Sequence, residues 1–432
     1  MSQPAELRRA VSRGQVIALA LNDVVGSGIY LLPAAAAALL GPLSLVAVLV
    51  AGLAVLLIVL CFAEASSRFE GTGGAYLYAR EAFGDLVGFE VGWMTWLARV
   101  SSVASLSAGF AQALGYLMPA AAQGTGRALA IVLPLAGLIA INLIGVRAGA
   151  RTAVALVIAK LVPLAVFVAA GAIAFSPRVL AAQPGGGRGL EGLGEAALLL
   201  LFAYAGFENT PAPAGEFRDP QRDVPRALLL QIGIVTLLYV SVQLVALGTL
   251  PALGASSTPL ADAAGGFLGG WGGWLLTAGA AVSILGTNSA TVLAGPRYLF
   301  ALASDGYGPR WLAAVHPRFR TPAVAILVQG AVALPLALSG SFVQLAALSV
   351  MARLATYLGT AAAVPVLRKK RGGEPGAFRL PGGPAIPIAA CALSLGLAAS
   401  AGPRNLVAAA IALAVGLGIY ALRRRPARAP AE

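Results

Sequence analysis

Charge is scarce in this chain. Asp, Glu, Lys and Arg together make up 11% of 432 residues, where a soluble domain carries about 25%. That excludes an ordinary soluble enzyme, and the 59% hydrophobic content excludes a disordered chain. Cysteine is nearly absent. Cys61 and Cys391 both lie in apolar runs and read as small buried hydrophobes, so neither a disulfide scaffold nor a thiolate metal site is expected. His316 is the only histidine and falls in a loop between apolar runs. No GxxxxGK[ST] phosphate loop occurs, which removes ATP drive. No cluster of His, metal ligands or nucleophiles shares one depth, so a membrane-embedded enzyme is disfavoured.

Apolar sequence is abundant. The expected spans are 14–39, 42–67, 84–118, 127–146, 150–175, 193–214, 226–250, 271–303, 322–338, 341–367, 384–400 and 404–422. Each is near the length needed to cross a bilayer. The expected fold class is an all-α membrane protein with about 12 transmembrane helices. The opening MSQPAELRRAVSRG runs into an apolar stretch too long for a cleavable signal peptide.

The net charge of +13 is explained by placement. With the N-terminus in the cytoplasm, 23 of the 30 Lys and Arg residues fall in cytoplasmic segments, four fall outside, and Arg99, Lys160 and Arg353 fall within spans. This is the positive-inside pattern, so both termini are expected in the cytoplasm. The basic tail RRRPARAP then needs no nucleic acid.

Two spans carry signs of a break. The first holds Gly26, Ser27 and Gly28, preceded by Asn22 and Asp23 and followed by Pro33. Close helix packing would also use such glycines. Polar residues beside paired glycines, roughly 18 Å into the membrane at 1.5 Å per residue, point instead to unwound backbone. The sixth span breaks at Gly206, followed by Glu208, Asn209, Pro211 and Pro213. Breaks at equal depth, entered from opposite faces, are the mark of inverted repeats. Spans 1–5 and 6–10 would be the repeats, with 11 and 12 appended. A broken helix offers N–H donors at one end and carbonyl acceptors at the other. The N–H groups near Ser27, Gly28 and Ile29 suit a carboxylate, and the carbonyls near Phe202, Ala203 and Ala205 suit an ammonium. Together they suit an α-amino acid.

Three segments carry a family likeness: VVGSGIYLLPAAAA at 24–37, FAYAGFENTPAPAGEFRDPQRDVPRAL at 202–228 and GPRYLFALASDGYGPRWLAAVHPRFRTP at 295–322. In that order and spacing they resemble the amino acid–polyamine–organocation transporter superfamily, and a bacterial amino acid permease within it. Tyr30 stands where Phe is usual, and Asp219 where Asn is common. The resemblance covers about residues 14–422. It implies the five-plus-five inverted-repeat (LeuT-like) fold with broken helices 1 and 6, and alternating access. It implies that Ser27 and Gly28 bind the substrate carboxylate and that Phe202 is an aromatic gate. It further implies that the FRDPQRDVPR loop and the Arg297/Asp305 region latch the inward gate; a charge-balanced surface turn is the plainer reading of that loop. The family has small or apolar residues where this chain has Asn22 and Asp23. An acid there could fix a cationic substrate, carry a proton or neutralise a cation.

Charges within the membrane mark function by default. Lys160 lies roughly 16 Å from the cytoplasmic edge. In one branch of the family a lysine of the fifth span replaces sodium, and Lys160 resembles it. Its ammonium is expected on the Asn22 carbonyl and on a hydroxyl of the eighth span, Ser283 first and Thr287 second. Asp23 reaches similar depth, so an Asp23–Lys160 pair competes with a coupling role. Arg353 is expected to tie to backbone carbonyls or to Glu64, with gating as the alternative. Glu208 either couples protons or holds the unwound segment. Arg99 is unassigned, and Trp93, Trp96 and Trp271 read as packing or interface aromatics.

The reading is secondary transport of L-amino acids, neutral ones favoured, with a proton as coupling ion and no other cofactor or metal. An exchanger and a polyamine or organic-amine carrier are the alternatives. The partners are a small amino acid and membrane lipid. The particular amino acid and the oligomeric state stay open. The organisation runs as a cytoplasmic segment 1–13, a first repeat 14–175, an outer loop 176–192, a second repeat 193–367, a basic loop 368–383, helices 11 and 12 over 384–422, and a basic tail 423–432, in a bacterial inner membrane.

Overall fold

The computed structural model describes residues 11–69, 74–144, 150–185, 188, 191–211, 217–371 and 378–422. The basic tail, Arg8, Arg9, Arg147 and the stretch 212–216 lie outside them. Helices in chain order are α1 (Arg13–Val24), α2 (Ser27–Leu40), α3 (Ser44–Ser66), α4 (Ala75–Phe83), α5 (Asp85–Leu114), α6 (Gly124–Ile144), α7 (Ala150–Ala174) and α8 (Pro177–Ala181). They continue as α9 (Gly192–Tyr204), α10 (Pro220–Thr249), α11 (Pro259–Leu268), α12 (Gly270–Ser304), α13 (Ala323–Ser339), α14 (Phe342–Lys370), α15 (Ala385–Ala399) and α16 (Gly402–Ala421). Among the described residues there is no strand, only an isolated bridge between Val11 and Phe217. Among the described residues seven helical stretches are long and apolar enough to cross a membrane, and α9, α13 and α15 are shorter apolar helices.

The apolar faces sort by what covers them. Ile173 is 91% exposed and Leu237 71%, on the outside of the bundle, whereas Phe62, Phe167 and Tyr204 are buried at its centre. An outward face of this kind belongs against lipid tails.

The contacts repeat with inverted order. The α1–α7 contact in the first half is matched by α9–α14 in the second, and α5–α14 is matched by α7–α12. The short helices extend the match. α4 meets α5 at Gly84 (φ 87°, ψ −175°), and α11 meets α12 at Gly269 (φ 72°, ψ −170°). That backbone region is essentially closed to residues with a Cβ. Two identical glycine corners at equivalent places are a structural trace of the five-plus-five inverted repeat. Neither α4 nor α11 was expected from the sequence, because apolar runs locate membrane spans and not short helices lying beside them. The expected span 84–118 is α5, and the expected span 193–214 gives way at Tyr204.

The first helix is interrupted at Val25 and Gly26, between α1 and α2. The sixth span is interrupted after α9, followed by a single 3-10 turn at Phe207–Asn209. Gly206, at φ 129°, makes this turn. A polar stripe on α10 donates to carbonyls beside and on either side of the first break. Gln231 donates to Ala20 O at 2.6 Å, Tyr239 to Val24 O at 3.4 Å, and Gln243 to Pro33 O at 3.3 Å. These three residues stand eight and four apart, which is one helical face. That spacing was a readable signal. It provides the partners that broken backbone needs away from water.

Candidate functional site

The two breaks meet. A Cβ built on Gly28 would lie 2.4 Å from the Ala203 Cα, and one on Gly206 would lie 2.2 Å from the Asp23 backbone oxygen. The start of α2 therefore rests directly on the end of α9. Gly28 serves this backbone approach and also borders the cavity between the breaks. Its N–H still belongs to the first turn of α2.

A small cavity of about 30 Å³ lies at this junction, enough for about one or two water molecules. Its walls include Asp23, Ser27, Arg99, Phe202, Thr287 and Arg353. Ser27 Oγ is buried and has no partner among the described residues, at the N-terminal end of α2 where N–H groups point outward. Phe202 contacts Phe342 edge-on at 5.8 Å between ring centres, so an aromatic pair backs one wall. An amino acid needs more room than this cavity has, so its admission requires the surrounding α5, α12 or α14 walls to shift. Ser27→Ala is expected to weaken binding by less than about tenfold, since one neutral donor is worth about 0.5–1.5 kcal/mol. Titrating purified variant protein with substrate checks this.

Lys160 is fully buried on α7. Its ammonium donates to Asn22 O at 2.9 Å and to Thr287 Oγ1 at 3.0 Å. It thereby ties α7 to the end of α1 and to α12. The order of hydroxyls is the reverse of that expected: Ser283 instead donates to Val25 O at 3.0 Å. Thr287 lies one helical turn further along α12, and the rotation of that helix presents it to the lysine. Asp23 and Lys160 form no ion pair, so the expected alternative of a fixed pair is not what the side chains do.

Glu208 is buried at the centre of a second cluster. Its Oε1 meets Arg99 Nη2 at 3.4 Å and also contacts Arg353 Nη1. Its Oε2 accepts the Gly206 N–H at 2.9 Å and the Tyr357 hydroxyl at 3.3 Å. Arg99 also donates to Asn209 Oδ1. Arg353 donates to Ser102 at 2.7 Å and Ser349 at 3.3 Å. Glu208 thus fastens the second break to α5 and α14, and Arg99 acquires a partner the sequence did not suggest. The expected tie of Arg353 to Glu64 is wrong. Glu64 accepts from Arg68 at 2.9 Å, from Arg368 at 2.7 Å and from the Leu380 N–H at 2.9 Å. Arg353 and Glu64 lie at different levels of the bundle, and depth along two helices does not say which side chains turn toward each other.

At the end of the bundle beyond α1, Arg13 pairs with Asp223 at 2.7 Å, and Arg218 N–H donates to Val11 O at 3.2 Å. The FRDPQRDVPR loop is thus bound to the start of the first broken helix. Asp305 pairs with Arg80 at 3.2 Å and accepts the Tyr76 hydroxyl at 2.5 Å, both on α4. Arg297 donates to Leu293 O of its own helix at 2.5 Å and takes no part, which corrects the expected Arg297/Asp305 latch. His316 Nδ1 accepts N–H groups of Arg318 and Phe319, so it stabilises a loop turn. Trp93 donates to Ala412 O at 2.9 Å and packs on Trp96, while Trp271 is 58% exposed at the start of α12.

Two facing helix breaks around one central cavity, in a bundle built from inverted repeats, define a membrane transporter of the alternating-access kind. The amino acid permease family model matches residues 12–419. The chain is 29% identical to a branched-chain amino acid permease of Bacillus subtilis, over 97% of this chain and 94% of the relative. It is 30% identical to a serine/threonine exchanger of the same organism, over 98% of each. It is also 29% identical to a methylthioribose transporter of Bacillus subtilis, over 98% of this chain and 95% of the relative. The chain belongs to the amino acid permease family. It is a multi-pass membrane protein of amino acid transport with the LeuT-like fold, not an enzyme.

Proposed function

We propose that this protein moves neutral L-amino acids into the cell by alternating access, with a proton as coupling ion. Lys160 carries the reading. A protonated ammonium held by Asn22 O and Thr287 Oγ1 ties the broken helix to α7 and α12 with no metal ion. Deprotonation leaves those acceptors without their cation and frees α1 to move against α12. The lack of an Asp23–Lys160 ion pair supports this over the strut model, in which a fixed pair would keep the lysine charged through exchange.

A neutral substrate is favoured because Glu208 already accepts four donors and offers nothing to a cationic side chain. The remaining cavity wall includes Leu106, Ala290 and Thr291, which suit small or aliphatic side chains. Two relatives are a branched-chain amino acid permease and a serine/threonine exchanger, and those amino acids are of this class. The steep bias of basic residues favours cytoplasmic termini in a bacterial inner membrane.

Labelled leucine, serine and threonine uptake in proteoliposomes tests the proposal. Accumulation is expected to rise with an inward proton gradient and to be indifferent to sodium. Strict sodium dependence would overturn the coupling argument, and obligatory one-for-one exchange without proton flux would replace symport by antiport.

A further inference from the structure

We propose that Asp23 is the anchor for the substrate's ammonium group, with the Ala205 carbonyl as its second acceptor. This rests on the amino acid reading above and assigns a recognition role to a residue that departs from the family pattern. An ammonium brings three donors and no acceptor. Within a membrane each donor must find an oxygen.

The carbonyls around the breaks are mostly taken. Phe202 O accepts the Ala205 N–H at 3.2 Å, and Ala203 O accepts the Tyr239 hydroxyl at 2.9 Å. At the end of α1, Leu21 O accepts the Val25 N–H, Asn22 O holds Lys160, and Val25 O accepts Ser283. Of the α9 carbonyls expected to bind an ammonium, Ala205 O alone takes no donor among the described residues.

The charges narrow the choice further. Arg99 and Arg353 share Glu208, and Lys160 is held by two neutral oxygens. Asp23 lines the cavity, is only partly buried, and has no hydrogen bond or ion pair among the described residues. Lys160 and Arg99 lie within electrostatic reach of it, but neither bonds to it, so its carboxylate oxygens stay open to a donor, and a buried polar oxygen without a donor is costly. Asp23 also touches Gly206 through its backbone, and Asp23 and Ala205 line the same cavity. The unpartnered Ser27 hydroxyl and the N–H groups of α2 lie four residues further on, across the break. One wall is thus negative and the next rich in donors, complementary to an ammonium and a carboxylate on one carbon.

The test uses full-length protein and two ligands of nearly equal shape: leucine and its 2-hydroxy acid (hydroxyl for ammonium). Binding is measured by calorimetry on the parent, Asp23→Asn and Asp23→Glu, with circular dichroism as the folding control. The parent should prefer leucine over the hydroxy acid by at least about tenfold, the scale of one charge-assisted hydrogen bond. Asp23→Asn should lose that preference, and Asp23→Glu should restore part of it. Unchanged preference in Asp23→Asn would overturn the anchor and leave amino acid transport standing. Equal binding of leucine and the hydroxy acid by the parent would overturn it even if the variant fails to fold. Failure of leucine, serine and threonine all to bind the parent would overturn the transport reading and the anchor with it.

Discussion

Lys160→Ala is expected to abolish accumulation driven by an inward proton gradient while weak substrate binding survives. Among the described residues the ammonium is the only group joining α7 to both Asn22 O and Thr287 Oγ1. Alanine removes the titrating group, leaves the buried Asn22 O short of a donor and takes the ammonium from Thr287 Oγ1. A buried acceptor left unsatisfied costs about 1–3 kcal/mol, which is roughly 5- to 150-fold in a conformational equilibrium. The conformation that closes α1 onto α12 should therefore lose population. Proton flux measured beside labelled substrate flux in proteoliposomes is the check. Undiminished accumulation by the variant under the same gradient would rule out the coupling role. Continued exchange without net proton movement is compatible with it, since exchange needs only the return of loaded carrier.

Gly28→Leu is expected to abolish substrate binding at normal expression, and Gly28→Ala to impair it severely. The added Cβ would sit 2.4 Å from Ala203 Cα and 3.0 Å from Ala203 N. These are backbone atoms, so no rotamer change relieves the clash. Non-bonded carbons need about 3.5–4.0 Å, so α2 and α9 would have to separate by on the order of 1 Å. That separation pulls the N–H groups of α2 away from the Ala205 carbonyl and Asp23, so a zwitterion can no longer satisfy both ends at once. Neighbouring Gly26 is less demanding: its added Cβ would meet Thr287 side-chain atoms at 3.3 Å or more. Binding titrations on Gly26→Ala and Gly28→Ala, normalised to folded protein, should separate the two positions clearly. Normal transport by Gly28→Leu would show that the junction of the breaks is not the site.

Sequence alone determined the positions along each helix. Apolar runs located the long helices, because backbone in lipid must be hydrogen-bonded internally. Gly26-Ser27-Gly28 and Gly206 located the breaks, because paired glycine and polar side chains do not continue an apolar helix without reason. Counting 1.5 Å per residue brought Lys160 and Asp23 to similar depth, and the family resemblance pointed Lys160 to the Asn22 carbonyl, which its ammonium meets at 2.9 Å. Rotation about the helix axis and the choice of lateral neighbour were decided by tertiary packing alone. Thr287, one turn from Ser283, faces Lys160; Glu208, not Glu64, faces Arg353; Asp305 turns to α4, not to Arg297. The short helices α4 and α11 escaped for a related reason: their signal is a glycine corner against α5 and α12, not a hydrophobic length. Gly28 shows the difference most directly. Its sequence neighbours mark a break, but only the distance to Ala203 reveals that the missing Cβ lets two broken helices touch. Periodicity and composition describe one helix at a time, whereas a site at the junction of α1, α2, α5, α7, α9, α12 and α14 exists only once their faces are fixed against one another.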